Sequence, residues 1–281
     1  MRTGQPGVST DVSAGHVPRF VIAPQTQSTP SLDRALSILE LLSNSRFGLS
    51  LPQLVEKTRF PKSSVHCLLV TLDRRGYVRR NQRTGRYQLG LKFLSLANIT
   101  LSGIPLREIA ASHLKLLVDS TRLTAHLAIL ENNEAVLISK HSPAGVFGLA
   151  TWVGKRMEIH CTGLGKALIA YLPEEVIERI IRERGMPRHN DQTLSSFKKL
   201  KADLAQTAAR GYSVDLEEDE LGMCCIGAPI FDSLGTPVAA VSISGTTEEI
   251  MSTGVKELGE RVKKTAAHIG TQMAESALPV T

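Results

Sequence analysis

A change of hydrophobic period at Gly76 constrains this chain more than any other feature of its sequence. Before Gly76, apolar residues recur at steps of three and four, which predicts amphipathic helices. After it, Tyr77–Arg80 and Arg86–Leu89 alternate around the loop Asn81–Gly85, which predicts a β-hairpin. We therefore predict three helices followed by a basic hairpin, which is the order of elements in a winged helix-turn-helix.

The limits of these helices follow from residues that cap helix ends. Ser31 is predicted as the N-cap of the first helix, and Ser50 with Gln53 has the spacing of a capping box at the start of the second. Pro61 suits the first position of the third helix, because its missing N–H has no helical partner there. The third helix is predicted to end just before Gly76, in the C′ position.

The 281-residue length suggests two domains. Residues 1–30 are rich in Gly, Pro, Ser, Thr and Gln and are predicted to be a disordered tail. Residues 31–90 form the predicted winged helix-turn-helix, and residues 91–104 a linker helix. Residues 105–275 mix strand pairs with helices, which predicts an α+β domain with a largely antiparallel sheet. Its predicted helices cover about 106–121, 164–172, 174–183, 197–210 and 254–273, and its predicted strands lie near 125–130, 135–140, 224–231 and 237–244.

The positive charge of the chain is concentrated in one segment. Net charge is +6, whereas residues 31–102 alone hold 12 Lys/Arg against 4 Asp/Glu, an excess of +8. Such a segment is typical of a DNA-binding module, the alternative being a solvated surface. We expect a cytoplasmic protein without a membrane partner, because there is neither a secretory signal nor an apolar run of about 18 residues. The cysteines are placed too irregularly for a disulfide framework: Cys67, Cys161, Cys224 and Cys225.

DNA contacts are expected from the third helix and the wing. Polar residues open that helix and are expected to face the major groove: Lys62, Ser63, Ser64 and His66. The alternative is that the serines only cap the helix and the lysine is solvated. The wing carries arginines suited to phosphate or a narrow minor groove: Arg79, Arg80, Arg83 and Arg86. The alternative here is a solvated hairpin.

Several motifs in order carry a family resemblance. They are "SLDRALSILELL", "FPKSSVHCLLVTLDRRGYV", "GRYQLG", "HCTGLGKAL" and "GYSVDLEEDELGMCCIGAPIFD". With them, the chain from Ser31 to the C-terminal helix resembles the IclR family of transcription regulators. The resemblance implies an effector domain similar to GAF and PAS sensors, homodimers or homotetramers, and usually repression. It also implies inducers that are small organic acids or aromatic catabolites. Cys67 departs from the family, since an arginine is expected at its position.

The resemblance also implies an effector pocket. The matching positions are Val146, Leu149, Gly163, Leu164, Asp215, Cys225, Ser242 and Ser244. Backbone N–H groups at Gly163 and Leu164 would favour an anion, and two serines two apart on a strand would face one side. Alternatives remain open: Asp215 belongs to an acidic run typical of a solvated loop, the serines could bond to backbone, and Cys225 could be a small buried filler.

We therefore expect a ligand-responsive repressor that binds double-stranded operator DNA and a small organic acid. We expect no catalytic residue, metal or cofactor, because no metal-ligand or phosphate-loop motif occurs. An enzyme with a Cys–His pair of His160 and Cys225 is conceivable only if the fold brings the two residues together. The main alternative is a redox- or metal-sensing regulator that uses Cys161, Cys224 and Cys225. An architectural DNA protein would not need the large acidic C-terminal domain.

Overall fold

The computed structural model of the chain describes residues 29–145 and 149–276. Most of the predicted tail and Val146 therefore lie outside the described residues. The chain divides into two compact units, and the boundary along the sequence lies between Leu96 and Ala97. That boundary falls inside the predicted linker helix.

The first unit has the predicted order of helices and hairpin. Its elements are α1 (Pro30–Ser43), α2 (Leu51–Thr58), α3 (Lys62–Arg74), β1 (Val78–Arg80) and β2 (Tyr87–Leu89). The two strands are antiparallel, with Val78 opposite Leu89. The three helices and the hairpin share one small core, which includes Ile38, Leu54, Val65 and Leu69.

The capping residues were predicted correctly for one helix and missed by a residue or two for the others. Ser50 Oγ accepts from the Gln53 N–H, and the Gln53 side chain accepts from the Ser50 N–H at 3.0 Å, so the capping box is confirmed. The prediction of Ser31 as an N-cap is wrong, because α1 begins at Pro30 after Thr29. Pro61 is the N-cap of α3 rather than its first residue.

The end of α3 and the start of the wing follow the prediction. Gly76 has φ +77°, a left-handed conformation in which a glycine is unstrained. In the wing loop, the Asn81 N–H donates to the Arg86 carbonyl at 2.8 Å and the Gly85 N–H donates to the Asn81 carbonyl at 2.8 Å. Leu49 adds a short bridge to Tyr87 that the sequence did not indicate.

Helix α4 (Lys92–Ser102) has no buried residue. The remaining elements are α5 (Pro105–Thr121), β3 (Thr124–Glu131), β4 (Glu134–His141), β5 (Arg156–Met157), α6 (Gly163–Ile169), α7 (Glu174–Arg184), α8 (Phe197–Arg210), β6 (Ser213–Leu216), β7 (Met223–Phe231), β8 (Pro237–Thr246), α9 (Thr247–Thr253) and α10 (Val255–Ser276). Most of the predicted elements are confirmed. The short elements β5, β6 and α9 were missed.

The second unit is built on a six-stranded antiparallel sheet, in the order β5-β4-β3-β8-β7-β6. The β3–β4 hairpin turns at Asn132 and Asn133, which both have positive φ. Asparagine tolerates that conformation, and two such residues in a row are typical of a tight hairpin turn. The prediction of an α+β domain with a largely antiparallel sheet is confirmed.

The two faces of this sheet pack against different helices. On one face, Ile243 and Ile226 join a core with Leu114 of α5 and Leu258 of α10. On the other, Leu137 and its neighbours join a core that includes residues of α6. Because alternate residues of a strand point to opposite faces, polar residues that alternate with Ile226 and Ile243 lie on the α6 side.

Candidate functional site

The start of α3 presents a polar surface. Lys62, Ser63 and His66 are exposed and Ser64 is half-buried, while Val65 is fully buried in the core of the first unit. The helix packs through its apolar side, so none of these four polar side chains needs to be fully buried. The structure therefore brings all four predicted residues to the first turns of one helix.

Cys67 lies on the exposed side of the same helix as a free thiol. A thiol cannot form the paired hydrogen bonds that a guanidinium makes to phosphate or guanine. Because Cys67 is exposed, a cysteine in place of the expected arginine alters the helix surface and not the core of the first unit.

The wing arginines fall into two groups. Arg79, Arg80 and Arg83 are exposed, and the guanidinium of Arg80 lies 5.8 Å from the centre of the Tyr87 ring. The backbone N–H of Arg83 donates to Asn81 Oδ1 at 2.9 Å, which fixes the loop and leaves the side chain in solvent. These three side chains are available to a ligand outside the unit.

Arg86 differs, because its guanidinium is used inside the unit. It is half-buried, and one terminal nitrogen donates to the Gly48 carbonyl at 3.0 Å. Gly48 has φ +72°, and a Cβ there would lie 2.3 Å from the Tyr87 carbonyl oxygen. Arg86 thus links the wing to Gly48, which lies in close contact with β2. The sequence did not indicate this role.

A cavity opens on the α6 side of the sheet in the second unit. Seven of the eight predicted effector residues line it: Leu149, Gly163, Leu164, Asp215, Cys225, Ser242 and Ser244. The eighth, Val146, lies outside the described residues. Further lining residues were not predicted: His126, Leu137, Ala150, Thr151, Lys155, Met157, Thr162, Asp219, Glu220 and Met223.

The strand register explains why residues far apart in sequence meet at this cavity. Asp215 pairs with Cys225, and Cys225 pairs with Ser244 on the next strand. Ser242 pairs with His126. The predicted common orientation of the two serines is confirmed, since both line the cavity while Ile243 between them packs in the opposite core.

Asp215 is almost completely buried, with 2% of its surface exposed. Its Oδ1 accepts a hydrogen bond from the Glu218 N–H at 2.8 Å. Burial is the main cause that raises the pKa of Asp215 to about 7; the Glu218 N–H bond and the Lys166 charge lower the pKa, whereas the Glu218 and Asp219 carboxylates raise it. Because Asp215 is buried, the alternative of a solvated acidic loop is wrong for this residue. Near neutral pH its carboxyl group is present both in the charged form and in the protonated form, which can donate a hydrogen bond.

The Ser244 hydroxyl donates to Cys225 Sγ at 3.0 Å rather than to backbone. Burial raises the pKa of the Cys225 thiol well above its ordinary value. Cys225 is therefore a neutral thiol in the cavity wall at physiological pH.

His126 is a cavity residue that the effector prediction missed. It is 2% exposed, and its Nε2 lies 3.0 Å from Thr151 Oγ1. Burial lowers the pKa of His126 to about 3, helped by the charges of Lys140 and Lys155, so the ring is neutral. Its position one strand from Ser242 depends on the β3–β8 pairing, which the sequence alone does not give.

The start of α6 is held tightly against β7. A Cβ on Gly227 would lie 2.3 Å from the Gly163 carbonyl oxygen, so only glycine fits there. Ser213 Oγ donates to that same carbonyl at 2.5 Å. Thr162 caps the helix by accepting from the Gly165 N–H at 3.0 Å.

Of the three cysteines in the redox or metal-sensing alternative, Cys161 alone belongs to a group among the described residues that could hold a metal ion. All four are free thiols, and burial raises the pKa of Cys224 to about 12 and that of Cys161 further. Cys161 instead lies with His189 and Asp219, with ligand atoms within 4.8 Å of one another. The ring of His160 bonds to the Pro187 carbonyl at 3.0 Å, not to Cys225.

The helices that the structure describes are all too short or too polar to cross a bilayer.

Two profiles of known families match the chain, one for each unit. "IclR helix-turn-helix domain" matches residues 31–82, and "Bacterial transcriptional regulator IclR C-terminal" matches residues 98–271. The Transcriptional repressor IclR of Escherichia coli K12 is 33% identical over 257 residues, which is 91% of this chain and 94% of the relative.

Solved structures agree with these matches. The IclR of Thermotoga maritima has a TM-score of 0.71 and 28% identity, covering 87% of this chain and 99% of its own. An IclR homolog of Microbacterium hydrocarbonoxydans, complexed with 4-hydroxybenzoate, has a TM-score of 0.74 and 24% identity, covering 88% and 100%. The profiles, the relative and the shared fold agree: this chain belongs to the IclR family of transcriptional regulators, which bind DNA and respond to a ligand.

Proposed function

We propose that this regulator binds operator DNA through α3 and the wing, and that a small organic acid in the cavity of the second unit controls that binding. The main support for the proposal is that residues far apart in the sequence lie around one cavity. Seven residues spread from Leu149 to Ser244 line one cavity, with hydroxyl, thiol and carboxyl groups beside apolar side chains. Apolar walls with a few convergent polar groups are typical of small-molecule sites.

The lining favours a hydroxylated acid. Lys155 supplies a positive charge, and its position beside His126 would suit a carboxylate. Asp219 and Glu220 would accept hydrogen bonds from a hydroxyl group, while Ser242 could bond to either end. The compound in the Microbacterium hydrocarbonoxydans complex, 4-hydroxybenzoate, is also an acid with a hydroxyl group.

For DNA, the proposed contacts are the exposed residues of the first unit. Lys62, Ser63, Ser64 and His66 would enter the major groove, and Arg79, Arg80 and Arg83 would bind phosphate or the minor groove. Arg86 would contribute mainly by holding the wing. Repression is proposed because the Escherichia coli relative is a repressor.

We further propose that the protein acts in the cytoplasm as a homodimer or homotetramer. Leu91, Leu94 and Ile99 in and next to α4 are 67–70% exposed, and such apolar exposure favours contact with a second copy. The mass in solution, measured by light scattering, tests this assembly. A monomer at micromolar concentration would contradict it.

The effector proposal is tested by thermal shift against a panel of small carboxylic acids, with hits retested on the promoter fragment upstream of the protein's own gene. A native-state ligand raises the melting temperature by mass action. Acids that raise it and change DNA affinity support the proposal. The contribution of the Lys155 charge is tested by Lys155→Met, which should weaken binding of any acidic hit, with Lys201→Met as a surface control.

A second candidate function, metal sensing, is favoured by one observation. The Cys161 thiol, the His189 ring and the Asp219 carboxylate lie within 4.8 Å of one another, and zinc takes these ligand types. Cys224 and Cys225 do not belong to this group. Zinc retained after purification, lost in Cys161→Ser, and DNA binding that changes with a chelator would favour this function over acid sensing.

A further inference from the structure

Lys166 is a charged residue that neither the DNA-binding surface nor the cavity lining uses. It lies in α6, and its side chain is 0% exposed. A buried ammonium group is costly unless each of its N–H groups finds an acceptor. Its partners therefore indicate what the residue does.

Three oxygens surround the ammonium group. Lys166 Nζ lies 2.5 Å from Glu218 Oε1, 2.6 Å from the Val214 carbonyl oxygen and 3.2 Å from Asp203 Oδ2. These oxygens belong to the turn after β6, to β6 itself and to α8. One side chain thus ties α6 to α8 and to the segment that carries the acidic cavity wall.

Glu218 connects this ion cluster to the cavity. Its backbone N–H donates to Asp215 Oδ1 at 2.8 Å, and Asp215 lines the cavity. Asp219 and Glu220, which follow directly, line it as well. On the backbone side, Thr193 Oγ1 donates to the Glu218 carbonyl at 2.7 Å.

The charges around Lys166 are unevenly balanced. One ammonium group faces two carboxylates. Asp203 Oδ2 lies 3.2 Å from Nζ as an ion-pair contact without a hydrogen bond, and the buried Glu218 Oε2 has no hydrogen-bond partner among the described residues. Removing one partner from a buried ion pair leaves an uncompensated charge, which then moves or takes a proton. Without Lys166, the Glu218 side chain would therefore move or take a proton, and in either case its present ion pair would be lost.

We propose that Lys166 is a positioning residue of the effector cavity: it fixes Glu218, and Glu218 holds the Asp215 carboxyl group in the cavity wall. This inference rests on the proposed function, because it assigns the cavity to the effector. Lys166 does not line the cavity, and its connections to the cavity wall are its bonds to Glu218 and to the Val214 carbonyl beside Asp215.

The test is hydrogen exchange and NMR on the full-length, ligand-free protein. In Lys166→Met, the Glu218 amide should exchange at least about tenfold faster, the change expected when one charge-assisted hydrogen-bond network is lost. The ¹³C shift of the Asp215 carboxyl group at pH 4, where that group is protonated in both proteins, should change as well. Lys166→Arg should restore most of both signals, and Lys201→Met, which removes a surface ion pair with Glu174, should change neither.

Glu218→Gln gives a second measurement in case Lys166→Met does not fold. It retains Lys166 and the side-chain size but removes the charge, and should also speed exchange of the amide at position 218. Wild-type exchange at this amide in every folded variant, together with an unchanged Asp215 ¹³C shift at pH 4, would overturn the proposal. Both readouts come from ligand-free protein, so a failed acid screen would contradict the proposed function without affecting this test.

Discussion

Asp215 accepts a hydrogen bond from the backbone N–H of Glu218 at 2.8 Å while it forms part of the cavity wall. Two residues of one acidic run thus have different roles. Asp215 faces the cavity, and the Glu218 side chain faces the buried Lys166. A sequence that looks like a solvated loop thus contributes two buried, hydrogen-bonded residues to the candidate effector site and its surroundings.

Asp215 should make stability depend on pH. Burial raises the pKa of its carboxyl group to about 7 from 3.8, so the folded state binds the proton more tightly than the unfolded state. The resulting stability is present below pH 4 and is lost as pH rises to about 7, by up to about 4 kcal/mol. Asp215→Asn should remove this loss. Denaturant unfolding of both proteins at pH 5 and pH 8 measures it, and equal pH slopes would contradict the assignment.

The two wing arginines Arg83 and Arg86 should behave differently. Arg83→Ala should weaken DNA binding across sequences and reduce the salt slope by about 1, because an exposed guanidinium is removed. Arg86→Ala should instead lower the free energy of unfolding of the first unit by about 1 kcal/mol, since its bond to the Gly48 carbonyl is lost. Salt-dependent DNA titrations and denaturant melts separate the two effects. Identical behaviour of the variants would show that the bond to Gly48 has no consequence.

Residues at the start of α3 should control sequence preference. Ser64→Ala and His66→Ala should relax the preference at single base pairs, with about 1–3 kcal/mol lost for the preferred base. Lys62→Ala should weaken all sequences alike, as expected for a phosphate contact. Binding to a randomised operator library, read by sequencing, gives both results in one experiment. An unchanged preference in Ser64→Ala and His66→Ala would place the base contacts elsewhere.

Gly227 should tolerate no side chain. A Cβ there would lie 2.3 Å from the Gly163 carbonyl oxygen, so Gly227→Ala must push α6 away from β7. We expect a loss of about 1–3 kcal/mol in the free energy of unfolding, with weaker binding of any cavity ligand. Gly103→Ala is the matched control, because its Cβ would meet its nearest atom at an ordinary 3.4 Å. Equal effects of the two substitutions would contradict the close α6–β7 contact.

Local sequence signals were sufficient for most of the fold. The capping box at Ser50 and the glycine at position 76 describe interactions within a few residues, and both are confirmed. Ser31 was chosen as an N-cap from its residue type alone, whereas Thr29 and Pro30 actually begin the helix. Strand β6 was missed because alternation over only four residues, Ser213–Leu216, is a weak signal at the start of an acidic run, and its pairing with β7 makes it a strand.

The candidate site likewise combines residues that the sequence predicted with residues that it did not. Seven of the positions expected from the family resemblance line one cavity. The resemblance did not identify His126, which lies at that cavity because β3 pairs with β8. Arg86 was predicted to act like the other wing arginines. Its contact with the Gly48 carbonyl joins residues 38 positions apart and leaves no signal in the local sequence. Long-range partners of this kind cannot be read from spacing along the chain.

The most direct test of the account measures binding of the full-length protein to the promoter fragment upstream of its own gene, with and without an acid that raises its melting temperature. Ser242→Ala and Ser244→Ala serve as cavity variants, because their hydroxyl groups line the cavity and are distant in sequence from the DNA-binding residues. We expect the acid to change the DNA affinity of the wild type. The variants should bind DNA normally but need more acid. DNA binding that no cavity ligand changes, or an acid response that both variants retain in full, would contradict control of DNA binding through this cavity.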